Sequence, residues 1–296
     1  MKMWIKMSIE KKRQSMKKVI SASRRSDLIS FFPDWLASAV GKERVFVYGP
    51  SRHTYSVDLR PGEVHTFVLW SKNFSNLIND RFRLRRFLEK YDQIYVHFTI
   101  TGLGGTPIEK GVPPPGKAIA QLDPLIRIAG TPERISLRFD PILYWKDGDK
   151  KRTNLRFFDE LAPVLEQKGI KSVRFSFAQW YSKAKKRAEK KGFHYIDPPK
   201  EKKLEDAEFL AHTARSHNLD LYACSQAFLT EHPHIQSSAC IDGPFLQRIH
   251  PRQESGSTRK DKSQRAECRC SESVDIGSYT QFCPHSCLYC YANPLM

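Results

Sequence analysis

Two kinds of apolar pattern alternate along the chain. Short apolar runs at 19–23, 65–70, 94–101, 134–139, 172–177 and 219–224 predict buried strands. Between them, residues 28–40, 75–91, 116–129, 153–168 and 204–217 predict helices, the first with Asp27 as its N-cap. Residues 44–48 and 55–59 predict a hairpin around Gly49-Pro50-Ser51, and 273–277 a last strand. The repeated strand–helix order with short connections argues for parallel strands covered by helices, and the number of units favours a (β/α) barrel, closed or partial. No internal repeat is evident. The piece Gly111-Val-Pro-Pro-Pro-Gly116 predicts a rigid loop. The expected organisation is a basic N-terminal extension (1–17), a barrel body (18–225), and a cysteine-rich segment (226–296) that completes the barrel.

Polar, turn-prone clusters follow the C-terminal ends of the predicted strands. They are residues 21–27, 70–73, 99–105, 138–141, 179–181 and 224–226. In parallel α/β barrels this rim builds the active site.

The composition suits a folded chain with one large core: 296 residues, of which 40% are hydrophobic and 11% aromatic. No stretch is apolar enough to span a bilayer, and the N-terminus lacks the apolar segment of a secretory signal, so a cytoplasmic protein is expected. The net charge is +17. Residues 1–25 hold nine Lys/Arg against Glu10, and further basic runs lie at 183–191 and 248–265. Such a field favours polyanions, nucleic acid among them, or else marks solvated helix faces and tails; no recognisable nucleic-acid-binding motif accompanies it.

All seven cysteines lie beyond residue 223: Cys224, Cys240, Cys268, Cys270, Cys283, Cys287 and Cys290. An odd number in one corner of a long chain points to metal ligation rather than a disulfide scaffold. In Cys283-Pro-His-Ser-Cys287-Leu-Tyr-Cys290 a tight loop gathers three thiolates, soft ligands that suit three irons of a 4Fe–4S cluster and leave the fourth open. A zinc site completed by His285 or another cysteine is the alternative, and a role for His285 beyond the ligand shell is favoured over ligation.

The C-x3-C-x2-C spacing with Tyr289 before the last cysteine resembles the signature of radical S-adenosylmethionine enzymes. That resemblance implies a 4Fe–4S cluster whose open iron binds S-adenosylmethionine, cleavage to a 5′-deoxyadenosyl radical, Tyr289 near the adenine, and a reductase or flavodoxin-type electron donor. In that superfamily the cysteine loop follows the first strand; here it follows the last. Circular permutation accounts for this, with 273–277 lying beside 19–23. The blocks Ile20-Ser-Ala-Ser-Arg-Arg25, Trp70-Ser-Lys-Asn73, Arg138-Phe-Asp-Pro141, Cys240-Ile-Asp-Gly243, Cys268-Arg-Cys270 and Asp275-Ile-Gly-Ser-Tyr279, with the final cysteine block, also resemble an uncharacterised bacterial family over roughly residues 19–293. That family's C-terminal cysteine cluster is similar to the radical S-adenosylmethionine triad, and the resemblance implies a fold and cofactor, not a substrate.

Cys224, Cys240, Cys268 and Cys270 have three readings: an auxiliary iron–sulfur cluster, a structural zinc, or ordinary packed thiols. Further candidate cofactor contacts are Ser21, Arg24 and Arg25 after the first strand, Thr101, Gly102 and Gly104 in a glycine-rich turn, and Arg138 with Asp140. Against these stand a capping or ion-pair role for the charged residues and a plain turn for the glycines. Lys72 and Asn73 either bind ligand or cap a helix. The function expected is thus a radical S-adenosylmethionine enzyme, with nucleic acid as one candidate substrate. The alternative is a non-catalytic, zinc- or cluster-stabilised nucleic-acid-binding protein. The lack of a clustered His/Asp set in the sequence speaks against a metal-dependent hydrolase.

Overall fold

The computed structural model describes residues 16–49, 53–278, 280–292 and 294. The apolar runs form an eight-stranded sheet: β1 (Lys18–Ala22), β2 (Val64–Ser71), β3 (Ile94–Thr99), β4 (Ile135–Ile142), β5 (Ser172–Phe177), β6 (Asp220–Ala223), β7 (Ile235–Ser237) and β8 (Val274–Asp275). The order is β7-β6-β5-β4-β3-β2-β1-β8, and every neighbouring pair is parallel. Each strand from β1 to β7 therefore lies beside its predecessor in the chain, while the last returns to the free side of the first. Ile20 aligns with Val274 and Ser21 with Asp275, so the last strand lies beside the first as expected. The edges β7 and β8 share no ladder among the described residues.

The two faces of the sheet differ. Ile20, Phe67, Leu69, Val96, Phe98, Leu137, Phe139, Val173 and Phe175 face the main core. There they meet Leu36, Leu125, Leu161 and Leu210 from helices Pro33–Gly41, Leu122–Ala129, Phe157–Gln167 and Lys200–Ser216. The alternate positions point the other way. Val19, Val68 and Tyr95 pack against Cys240, Ile241, Leu246 and Cys270, so the segment between β7 and β8, including helix Gly243–Arg248, covers the second face. Toward the strands' C-terminal ends this inner face turns polar, with Ser21, Trp70, His97, Arg138, Arg174 and Cys224 in successive strands or just beyond them.

Three predicted helices are broken, each for an identifiable reason. Residues 28–40 form Leu28–Phe31 and Pro33–Gly41, because Pro33 has no N–H to continue a helix but suits the start of one. Residues 75–91 form three short pieces, with left-handed backbone at Asp80, Phe82 and Arg83. The Asp80 carboxylate accepts the Arg86 N–H at 3.3 Å and pairs with its guanidinium at 3.0 Å, fixing the last piece. Residues 116–129 divide at Gln121, whose side chain is diverted to the Phe74 N–H (2.6 Å) and Asn73 Oδ1 (3.1 Å). The basic run at 183–191 contributes helix Ser182–Lys190, anchored through buried Ala184 and Ala188. The hairpin is present as Arg44–Tyr48 with Thr54–Asp58; its turn at 50–52 and the basic arm at 1–15 lie outside the described residues. No helix among the described residues is long and apolar enough to cross a membrane.

Asp275 ties the ends of the chain together. Its carboxylate accepts hydrogen bonds from Ser21 Oγ (2.9 Å), Ser23 Oγ (2.7 Å), Arg24 N (2.8 Å) and Gly277 N (3.0 Å). Gly277 is required by proximity, since a Cβ there would meet Ser23 Oγ at 2.0 Å. Asp275→Ala leaves four donors unpaired at the β1–β8 seam, and we expect a loss of about 3 kcal/mol in denaturant-unfolding free energy. An unchanged unfolding midpoint would show that the seam does not depend on this carboxylate.

Candidate cysteine-lined site

The polar ends of the inner face and the cysteine-rich segment enclose a cavity of about 320 Å³, and all seven cysteines border it. Five of the six polar clusters supply much of its wall: Ser23–Asp27 by number 23–27, then 70–72, Arg138 with Asp140, Gln179 with Tyr181, and Cys224 with Ser225. The cluster at 99–105 reaches it only through Thr99.

The triad loop is held on three sides. His285 is buried; its Nε2 lies 2.8 Å from Asp27 Oδ2 and its Nδ1 2.9 Å from the Gly111 carbonyl, while the Gly111 N–H donates to the His285 carbonyl at 3.1 Å. Both ring nitrogens thus face oxygen partners, and the imidazole is held at both ends. The close approach needs glycine at 111, where a Cβ would meet the Pro284 carbonyl oxygen at 2.4 Å. Asp27 also accepts from the Ser30 and Lys72 N–H groups and from Ser71 Oγ. Burial alone would raise its pKa, but the hydrogen bond and charge of His285 outweigh this and hold it below the ordinary carboxylate value. On another side Leu288 N–H donates to the Ile108 carbonyl at 3.1 Å. On the third, the Arg187 guanidinium of helix Ser182–Lys190 donates to the carbonyls of Leu288 and Cys290.

Beside the loop lies a buried charge cluster. Glu109 accepts from Lys72 Nζ (2.9 Å), Thr101 Oγ1 (2.9 Å) and the Tyr289 hydroxyl. Burial opposes the Lys72 charge, but Glu109 and then Cys287 outweigh it and push its pKa up. Tyr289 packs with Leu103, Ile108, Leu143 and Trp180, and Lys72 Nζ lies 5.7 Å from its ring centroid. Burial raises the pKa of each triad thiol, Cys283 up to about 12, so a metal held there would have to displace their protons.

Farther along the wall, Arg138 binds the Asp140 carboxylate and donates to Cys240 Sγ at 3.1 Å. Burial disfavours its charge, but Asp140 and then Cys240 outweigh that and hold its pKa well above the ordinary value. Trp70 stacks on His97 with centroids 4.1 Å apart and donates to Ser21 Oγ at 3.0 Å. Burial and the Arg174 charge push the His97 pKa well down; its Nε2–H donates to the Cys240 carbonyl at 2.6 Å.

The sequence candidates thus divide. Arg24, Arg25, Arg138, Asp140, Tyr289 and the seven cysteines border the cavity. Ser21, Thr101, Gly102 and Gly104 do not border it. Ser21 holds Asp275 and Trp70, and Thr101 holds Glu109. A Cβ at Gly102 would meet Phe157 of helix Phe157–Gln167, and one at Gly104 the Pro113 carbonyl, so these glycines serve the packing of their loop within itself and against that helix. Arg24 and Arg25 are also engaged at the seam: Arg24 donates to Ser273 Oγ at 3.2 Å and Arg25 to the Gly277 carbonyl at 2.7 Å. Glu109 and the Trp70–His97 stack escaped sequence reading. The one acidic residue among the glycines and prolines of 102–116 was the available signal for Glu109.

The donor set suits soft metal chemistry: cysteine sulfurs gathered on a loop whose backbone is fixed from outside, beside cationic side chains that offset thiolate charge. A second group, Asp92, His250 and Glu254, has ligand atoms within 4.8 Å of one another. It corrects the sequence reading that no acid–histidine set clusters. Lys17 and Arg252 already neutralise its carboxylates, at 2.6 Å from Glu254 and 2.6 Å from Asp92.

These features define an α/β protein with a parallel sheet and a cysteine-lined cavity at the strands' C-terminal ends. The chain belongs to the family described as domain of unknown function DUF1848, whose model matches residues 19–292. No curated protein matches it.

His285→Ala removes the tether between the triad loop and Asp27. With such an outer partner gone, metal held by the loop is expected to bind about 10–100-fold more weakly, measured by iron loss to a chelator under anaerobic conditions. Equal loss rates for variant and wild type would refute that role.

Proposed function

We propose that this protein is a radical S-adenosylmethionine enzyme, with Cys283, Cys287 and Cys290 as ligands of a 4Fe–4S cluster. The observation that carries the reading is the position of the C-x3-C-x2-C loop: it follows the strand that lies beside β1, and its three cysteines border a cavity at the C-terminal rim. We read the sheet as a partial barrel, because its strands advance in one direction with the last returning beside the first, unlike a doubly wound sheet.

When bound, the cluster supplies an open iron for the amino and carboxylate groups of S-adenosylmethionine and the electron that cleaves it to methionine and a 5′-deoxyadenosyl radical. The chain's own contribution is to orient and shield. Asp27 and Gly111 fix the loop through His285. Lys72, held by Glu109, places a cation beside Cys287, and Arg24, Arg25 and Arg138 add positive charge to the same wall. Such a wall favours anionic groups on cofactor or substrate. The buried inner face limits the access of water to a reactive intermediate. The basic charge of the chain, with helix Ser182–Lys190 touching the triad loop through Arg187, supports nucleic acid as the substrate class. A reductase or flavodoxin-type protein would deliver the electron.

Anaerobic reconstitution with iron and sulfide, followed by dithionite and S-adenosylmethionine, tests the reading. We expect a brown protein that forms 5′-deoxyadenosine, and none from Cys287→Ser. A colourless zinc protein that leaves S-adenosylmethionine intact and binds nucleic acid with steep salt dependence would sink it in favour of a non-catalytic binding protein.

A further inference from the structure

The four cysteines outside the triad come from three separate segments, yet they converge. Cys224 follows β6, Cys240 follows β7, and Cys268 and Cys270 precede β8. Cys240 is the hub: its sulfur reaches those of Cys224 and Cys270, and Cys270 in turn reaches Cys268. None is in a disulfide. We propose that Cys224, Cys240, Cys268 and Cys270 hold a second iron–sulfur cluster, bordering the same cavity as the triad loop.

The surroundings of the sulfurs separate this from packed thiols. Arg138 is a partly buried guanidinium, and one of its nitrogens donates to Cys240 Sγ at 3.1 Å. A neutral thiol is a weak acceptor for such a cation, whereas a thiolate is a strong one. The Ile241 N–H donates to Cys270 Sγ at 3.4 Å, and Arg24 lies near Cys268 and Cys270. Two arginines and a backbone donor thus offset the negative charge that four metal-bound thiolates bring into a buried place. His97 and Arg174 brace the loop from beneath: His97 donates to the Cys240 carbonyl and Arg174 to the Ala239 carbonyl at 3.0 Å. The sheet's inner face holds this loop much as Asp27 holds the triad loop.

The four sulfurs are not already arranged as a zinc tetrahedron. Zinc–sulfur bonds of about 2.3 Å in a tetrahedron place every pair of sulfurs about 3.8 Å apart. Among the described residues no three of these cysteines have sulfurs mutually within 4.8 Å; Asp92, His250 and Glu254 alone meet that limit. The four sulfurs run as an open chain from Cys224 through Cys240 and Cys270 to Cys268 rather than as a closed tetrahedron; soft thiolates suit iron–sulfide and zinc alike, and the iron, sulfide and zinc counts separate the two.

This inference does not depend on S-adenosylmethionine chemistry, and its test removes the triad. The full chain carrying Cys283→Ser, Cys287→Ser and Cys290→Ser would be reconstituted anaerobically with iron and sulfide, with iron, sulfide and zinc then counted per chain. About four irons are expected to remain, with a paramagnetic signal after dithionite, and adding Cys240→Ser or Cys268→Ser should remove most of them. If the triad variant does not fold by circular dichroism, the wild-type count decides: about eight irons support the site and about four overturn it. A folded triad variant without iron, or one holding a single zinc, overturns the proposal; so do Cys240→Ser and Cys268→Ser chains that keep all their iron. A wild-type protein that forms no 5′-deoxyadenosine while the triad variant keeps its iron would instead count against the proposed function alone.

Discussion

The carboxylate of Asp275 gathers Ser21, Ser23 and the Arg24 N–H from the start of the chain onto a strand near its end. The β1–β8 ladder has only two aligned pairs, too few to fix a register firmly without help. The charged acceptor supplies that help, because each of its donors would be left buried and unpaired if the strand moved. Tyr55 of the hairpin adds a hydrogen bond from outside, its hydroxyl donating to the Asp275 carbonyl at 3.2 Å. Where β8 sits decides where the cysteine loop sits, and the site follows from that.

The inner face of the sheet is polar where a barrel interior or a doubly covered sheet is commonly apolar. Arg138 and Arg174 stand side by side on β4 and β5, one partly and one fully buried cation that disfavour each other. Each is satisfied separately. Arg138 turns to Asp140 and Cys240; Arg174 turns to the Ser136 and Ser172 hydroxyls and the Ala239 carbonyl. Unpaired charges at such depth would be strongly destabilising, so the covering segment between β7 and β8 is part of the electrostatic balance as well as of the packing.

The position of β8 brings the triad loop to the rim, and side chains and carbonyls outside the sheet then fix it. Its place is set through intermediaries: His285 on Asp27, Tyr289 on Glu109, and Leu288 on Ile108. Asp27 illustrates how one residue serves both folding and the site. It caps helix Leu28–Phe31 through the Ser30 N–H and receives the imidazole that fixes the cysteines. Glu109 does the same for the glycine-rich loop and Lys72.

Strand runs, the Asp27 cap, the return of the last strand to the first and the gathering of cysteines were legible in the sequence. Each depends on short-range chemistry or on a residue type with few other uses. Local pattern did not show the breaks at Pro33, Asp80 and Gln121 in full, because two of them answer to partners distant from the helix or to left-handed backbone. Nor did it show that Gly102 and Gly104 serve packing while Glu109 holds the cluster beside the cysteines. A continuous apolar run such as 65–70 hides which residues face inward, since both faces are buried. Only the placement of the 240–250 segment over one face made Trp70 and Arg138 the lining of a site, with His97 stacked behind Trp70. The sequence by itself determined the elements and the donor atoms. The tertiary structure decided which of those atoms share a cavity, because that depends on contacts between segments up to the full length of the chain apart.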